Sequence, residues 1–180
     1  MPCDLTSGRL LDCKAEVGGI RSILLYAGDN YTPAYYPDGV FAINHPYGNI
    51  TAYRYDLPRG TGSISEEILT SSLNGTTFYE DTLIIKLHRL DNTMRDELKL
   101  IAQSRLRIFI LDNNDNQWIM GEINGAELVE GTAATGMSLS DNYGYNLTFK
   151  SQEPNPLRAC LAFTSKPFDN AVFINPSPAF

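Results

Sequence analysis

The sequence has few of the residues that carry catalysis or metal binding. Its 180 residues include only two histidines and one tryptophan, and its three cysteines are Cys3, Cys13 and Cys160. An odd cysteine count without close spacing argues against a disulfide framework and against a zinc site. The chain also lacks a phosphate-binding glycine loop and the local motifs of serine or cysteine nucleophiles. We therefore expect a protein that is not an enzyme and uses no cofactor or metal.

Positive charge and long apolar runs are also scarce. Lys and Arg number 14 against 21 Asp and Glu, so the formal net charge is −7. A chain of this sign without a basic run is not a general nucleic-acid binder, because affinity for phosphates depends on Lys and Arg. No segment approaches the roughly 18 apolar residues of a membrane-spanning helix, and the first 14 residues do not resemble a signal peptide. We expect assembly in a reducing cytoplasm and no membrane partner.

Residues that favour strands and turns are abundant. Ten Tyr and eight Phe favour strands, and 14 Gly and ten Pro favour turns, so the fold class is predicted to be mainly β. The length favours one domain over 1–180. Residues 28–60 form a loop-rich insertion or contact arm, and residues 165–180 form an extended C-terminal arm. Apolar patterns predict strands over 21–27, 40–44, 49–57, 106–111, 117–122, 126–130, 143–150 and 157–163.

The strongest local signal is a long β-hairpin. Two β-compatible runs, 61–73 and 76–89, flank Asn74-Gly75. Asn-Gly favours a two-residue type I′ turn, in which both central residues have positive φ. This turn would place Leu73 opposite Thr76. Each arm of about 13 residues would extend about 43 Å.

Two acidic pairs lie on this hairpin, Glu66-Glu67 and Glu80-Asp81. Side chains alternate along a strand, so each pair has one carboxylate on each face, and the predicted turn makes Glu67 and Glu80 diagonal neighbours. A glycosidase needs two carboxylates aimed at one bond, one of them with a pKa raised by burial. We expect instead that all four acids are exposed. A small β-rich carboxylate hydrolase is the alternative, which a buried cleft holding Glu67 and Glu80 would support.

One helix is predicted over 93–105. Asn92 or Thr93 can cap its N-terminus, and acidic residues early and basic residues late suit the helix dipole. The spacing i, i+4, i+7 predicts an apolar stripe formed by Met94, Leu98 and Ile101.

An Asp- and Asn-rich segment after residue 111 partly matches a calcium-binding loop. Asp112, Asn114 and Asn116 occupy the first three ligand positions of an EF-hand. Gln117 and Ile123 stand where that loop needs Gly and Glu. We interpret the segment as a hairpin turn.

The order of these elements resembles tail tube and related virion proteins of tailed bacteriophages. The stretches that carry the resemblance are ILDNNDNQWIMG (110–121), NGAEL (124–128) and TGMSLSDNYGYNLTFKSQEP (135–154), together with the opening LTSGRLLDCKAEVGGI (5–20). The resemblance covers about half the chain, and residues 28–60 contribute nothing to it.

The resemblance implies a β-sandwich or barrel flanked by a helix, assembled into rings that are usually hexamers and that stack into a tube. Hairpins of neighbouring subunits would join into one barrel around a channel. The expected partners are copies of the chain, other tail proteins and genomic DNA that passes without specific binding, and the location is the virion tail. A neck, connector or terminator ring is the alternative. The candidate lumen or inter-subunit residues are Glu66, Glu67, Asn74, Gly75, Glu80 and Asp81.

Overall fold

The computed structural model describes residues 16–28, 34–35, 43–44, 50–160 and 171–174. Within these residues the chain is mainly β with a single helix, which confirms the predicted fold class. The elements in chain order are β1 (Ile20–Ala27), β2 (Ala34–Tyr35), β3 (Ile43–Asn44), β4 (Ile50–Asp56), β5 (Gly62–Ser71), β6 (Thr76–His88), α1 (Asn92–Gln103), β7 (Leu106–Asp112), β8 (Gln117–Met120), β9 (Ala126–Ala134), β10 (Gly144–Glu153), β11 (Arg158–Cys160) and β12 (Ala171–Ile174). Cys3, Cys13, His45 and most of the two predicted arms lie outside the described residues.

Ten of the strands form one sheet, and β2 and β3 form a separate pair. The strand order along the sheet is β12-β4-β1-β7-β9-β10-β6-β5, with β8 and β11 branching from β7. All pairings are antiparallel except that of β12 with β4. The C-terminal segment that sequence analysis predicted as an extended arm therefore contributes a strand to this sheet.

The sheet has two halves that share one core. β7 and β9 are joined through a single pair of residues, Leu106 opposite Ala126, so the ladder is nearly interrupted there. Buried side chains from both sides of this junction pack together, so the sheet folds over on itself in the manner of a sandwich. Fully buried members of the shared core include Ile23 and Ile108 from one side and Leu83, Ile85 and Phe149 from the other. We call the half made of β9, β10, β6 and β5 the extended sheet.

The hairpin of β5 and β6 is present, but its predicted turn is wrong. Ser71 pairs with Thr76, so four residues, 72–75, form the loop, and every pairing is shifted by two residues from the prediction. Of the two residues predicted to form the turn, Asn74 and Gly75, only Gly75 has positive φ, at 62°. Loops of this length are commonly built around a type I turn, which does not need positive φ at Asn74. The shift places Glu67 directly opposite Glu80.

The helix begins one residue earlier and ends two residues earlier than predicted. Asp91 occupies the N-cap position without a side-chain cap hydrogen bond, so the prediction of Asn92 or Thr93 is wrong. The Tyr145 hydroxyl instead donates to the Asp91 carbonyl at 3.0 Å and accepts from the Asp91 N–H at 3.3 Å. Neither the first nor the last turn carries the predicted complementary charge. Tertiary packing of the apolar stripe, with Ile101 buried, therefore holds this helix.

The turn between β7 and β8 is a hairpin turn, as predicted. The Asp112 carboxylate accepts the backbone N–H groups of Asn114 and Asn116 at 2.8 Å each. The Asn114 side chain bonds the backbone of Val17 in both directions, at 2.9 Å and 2.8 Å. The groups that matched calcium ligands are thus occupied in closing the turn and in holding the segment that precedes β1.

The loop of the hairpin gives the first prediction. Gly75→Val should lower the free energy of unfolding by about 1–2 kcal/mol, because a β-branched residue is strained at positive φ. Asn74→Val should change it by less than about 0.5 kcal/mol, because Asn74 is exposed and has ordinary φ. Urea denaturation of both variants tests this. Equal destabilisation by the two substitutions would mean that the loop is the two-residue turn after all.

Candidate functional site

The extended sheet has one face directed away from the core, which we call the polar face. Strand pairing places the following charged residues on it: Glu67, Glu80, Glu127, Glu130, Lys86 and Lys150. Four acids against two lysines give this face a net negative charge. Most of these side chains are exposed, because no described element covers the middle of the face.

Glu80 lies at the centre of the polar face and is held by two neighbours on β10. Its carboxylate accepts hydrogen bonds from the Lys150 ammonium at 2.6 Å and from the Gln152 amide at 2.8 Å. These bonds, the one from Lys150 first, hold the pKa of Glu80 below its usual value. Glu67 lies directly opposite on β5 and is exposed. A lowered pKa is the opposite of what a catalytic general acid requires, so Glu80 is not suited to that role.

The core-directed face of the same strands carries three other carboxylates, which we call the acidic end of the core: Glu66, Asp81 and Glu153. Asp81 is only 1% exposed and accepts a hydrogen bond from the Ser151 hydroxyl at 2.9 Å. Glu153, 5% exposed, accepts the N–H groups of Ile123 and Asn124 at 3.1 Å and 2.9 Å. In the described part of the chain, one oxygen of Asp81 and one of Glu153 are buried without a partner.

Burial without full hydrogen bonding changes the ionisation of these groups. Desolvation raises the pKa of Asp81 to about 6, against the Ser151 bond that lowers it, and the negative charges of Glu66 and Glu153 raise it further. Desolvation likewise raises the pKa of Glu153, although its backbone bonds oppose the shift. The prediction that all four hairpin acids are exposed is therefore wrong for Asp81, which is buried, and for Glu80, which is only partly exposed. The alternation with buried Leu83 and Ile85 on β6 is the sequence signal that could have placed Asp81 on the core side.

The two outer strands of the extended sheet have free edges among the described residues. β5 pairs with β6 alone, and β9 pairs with β7 only at Ala126. Beyond that pair β9 continues to Ala134, whereas sequence analysis predicted a strand only over 126–130. The small side chains of residues 131–134 suggested a loop, but the ladder with β10 keeps their backbone extended.

The predicted site residues thus separate into three groups. Glu67 and Glu80 lie on the polar face, Glu66 and Asp81 lie at the acidic end of the core, and Asn74-Gly75 lies in the exposed loop at the tip of the hairpin. Sequence analysis did not single out Lys150, which belongs to the polar face only through the register of β10.

The described residues show neither a metal site nor a membrane-spanning helix. Among the described residues no group of three or more His, Cys, Asp or Glu side chains is arranged to hold a metal ion. In the same part of the chain, no helix has the length and apolar character needed to span a bilayer. Comparisons with protein-family models, with curated proteins and with solved structures each find no match.

The acidic end of the core gives a prediction about pH. The folded protein binds the Asp81 proton more tightly than the unfolded chain, so ionisation costs stability as pH rises from the ordinary pKa of 3.8 through about 6. The full cost is about 3 kcal/mol for a shift of roughly two pH units. Asp81→Asn, which cannot ionise, should raise the free energy of unfolding at pH 7.5 by about 1–3 kcal/mol and change it little at pH 4.

The matched control is Asp96→Asn, because Asp96 is exposed on α1. It should shift stability by less than about 0.5 kcal/mol at either pH. Urea denaturation at the two pH values measures both variants. A loss of stability in Asp81→Asn at pH 7.5 would show that the ionised carboxylate has a stabilising partner and would contradict this account.

Proposed function

We propose that this chain is a virion structural protein, the subunit of rings that stack into the tail tube of a tailed bacteriophage. The observation that carries the proposal is the pair of free edges on the extended sheet. In the order β9-β10-β6-β5 every neighbour is antiparallel, so β5 and β9 run in opposite directions. The β5 of one copy can therefore continue the antiparallel ladder of β9 in the next copy.

A ring built in this way removes the free edges. An unpaired edge strand is a template for association, and proteins that stay monomeric usually shield it. The first half of β5 is partly covered, because Gly62 lies against Leu57 and Ile20 and Glu66 accepts the N–H of Leu157. The outer half, 67–71, is open. Contacts that join different patches on two copies generate a closed ring or an open filament, and ring closure gives every β5 a partner.

The direction of the backbone groups on β5 supports strand pairing. The Lys86 N–H donates to the Thr61 carbonyl at 2.7 Å, so the backbone carbonyl of Thr61 points toward β6 and this opposed pair is of the hydrogen-bonded kind. In an antiparallel ladder such pairs alternate with pairs whose backbone groups point outward. By this alternation Ile68 and Thr70 direct their N–H and C=O groups away from β6, toward a strand in another copy.

In such a ring the polar face is the candidate lining of the channel. Its net negative charge repels phosphates at short range, so DNA would pass without adhering. The resemblance implies hexameric rings, which would place the excess acids of six copies around the channel. A single neck or terminator ring shares this lateral contact, and growth into filaments at high protein concentration distinguishes a tube from it.

Blocking the edge of β5 gives a direct test. Thr70→Pro removes an outward N–H without removing a hairpin hydrogen bond, so the monomer should keep its fold while lateral pairing fails. Sedimentation velocity across a concentration series should show assembly of the wild type and only monomer for the variant. Thr70→Ala, which keeps the N–H, is the matched control and should assemble. If Thr70→Pro assembled to the same extent as the wild type, pairing through this edge would be contradicted.

Reversing the charge of the polar face tests the lining. Replacing Glu67, Glu127 and Glu130 together with Lys should leave ring formation intact, because these side chains are exposed, and should make the rings retain DNA at low salt. Retention should fall steeply as salt rises. A matched variant with three Lys residues at Asp56, Asp96 and Asp115, all exposed away from this face, is the control. Equal DNA retention by the two variants would contradict the proposal that the polar face lines the channel.

A further inference from the structure

An apolar groove lies between α1 and β9. It has a volume of about 520 Å³, and its floor is the core-directed face of β9 and β10, where Gly131 and Ala133 leave space that larger side chains would fill. Val129 forms a bulge in β9 at this point, because Leu128 pairs with Phe149 while Glu130 pairs with the preceding residue of β10. The walls include Leu98 and Ala102 of α1.

The α1 side of the groove's rim is cationic, whereas Glu130 lines the groove from β9. Arg95 and Lys99 line it from α1, and both are exposed. Neither side chain makes an ion pair with another residue in the described ranges. An occupant with an apolar side chain and a nearby carboxylate would satisfy both the groove and its rim.

Ile68, in the open half of β5, and Glu66, just before that half, together have this chemistry, although Glu66 also accepts the Leu157 N–H within its own copy. Ile68 is 63% exposed, although it lies on the core-directed side of the strand together with Glu66. When β5 of one copy extends the sheet beyond β9 of the next copy, this side of β5 continues the surface that forms the groove floor. Ile68 then points toward α1 of the neighbouring copy, and Glu66 lies near the cationic rim.

The strand tilt of a closed barrel would bring Ile68 of one copy opposite the groove residues Leu128 to Gly131 of the next copy. Within one copy, Leu128 lies level with Ile64, and Gly131 lies level with Gly62, through the pairings across the four strands. Ile68 is four residues beyond Ile64 and six beyond Gly62, a displacement of about 13–20 Å at ~3.3 Å per residue. Four strands at ~4.8 Å are about 19 Å wide. The displacement along the strands divided by this width gives the tangent of the strand tilt, which is roughly 35–46°. Closed barrels typically have tilts of about 35–45°.

We propose that in the assembled ring Ile68 of each copy is seated in the groove between α1 and β9 of the next copy, with Glu66 facing Arg95 and Lys99. The occupant is a second copy of this chain, and the proposal rests on the ring assembly proposed above. Backbone pairing supplies the general attraction between the strands, and the groove fixes the register at which they pair. A fixed stagger sets the strand tilt, and therefore the diameter of the ring.

Photo-crosslinking identifies the neighbour of Ile68. A benzophenone amino acid in place of Ile68 should crosslink between copies to α1 or to 128–133 in concentrated protein, as mapped by mass spectrometry, and the product should disappear on dilution. The control is the same probe in place of Ile84, which is exposed on the polar face and should not reach α1. Rings whose crosslinks from position 68 map to another segment, such as the loop 135–143, would overturn this contact and leave the ring itself intact.

Filling the groove is the second test. Ala102→Trp should raise the concentration needed for assembly by about tenfold or more, as expected for disruption of a central apolar contact. Gln103→Trp, exposed on the same helix but outside the groove, should leave it unchanged. If Ala102→Trp assembled at the same concentration as the wild type, the seating of Ile68 in the groove would be overturned. A wild-type chain that forms no assembly at all would overturn the proposed ring together with this contact.

Discussion

The pairing of β6 with β10 is the contact on which both surfaces of the extended sheet depend. It runs without interruption from Gly144 opposite His88 to Glu153 opposite Tyr79. One side of this ladder contributes Leu83, Ile85 and Phe149 to the core, and the other side supports the polar face. The two outer strands, β5 and β9, are held mainly through this central pair. Their free edges follow from it, because each has its main partner on the inner side and, among the described residues, none of comparable extent on the outer side.

The main elements could be predicted because their signals are local. Apolar runs placed β1 and β7, alternation placed β4 and β10, and the β-compatible run after Asn74-Gly75 placed β6, each within a few residues of its observed bounds. The register of the hairpin could not be predicted, because Asn74-Gly75 permits loops of different length and the choice depends on which residues the core buries. The N-terminus of the helix was misplaced for a similar reason. Its first turn is bonded to Tyr145, a residue 54 positions from Asp91.

The candidate site was only partly visible in the sequence. The acidic pairs of the hairpin were recognised, and alternation correctly separated each pair between two faces. Their environments differ because of residues distant in sequence: Lys150 and Gln152 bind Glu80, whereas Ser151 and the core surround Asp81. The strand 131–134 looked like a loop, since Gly, Thr and Ala have no apolar pattern. The free edge of β9 and the groove beside α1 were therefore apparent only once the chain was folded.

Electron microscopy of the concentrated wild-type protein tests the central claim most directly, because lateral pairing of β5 with β9 in a geometry that closes produces rings. The account predicts rings of uniform diameter with a central channel, which stack into tubes as concentration rises, and a continuous antiparallel barrel around the channel in averaged images. Uniform monomers at every concentration, or rings in which β5 and β9 remain unpaired, would contradict it.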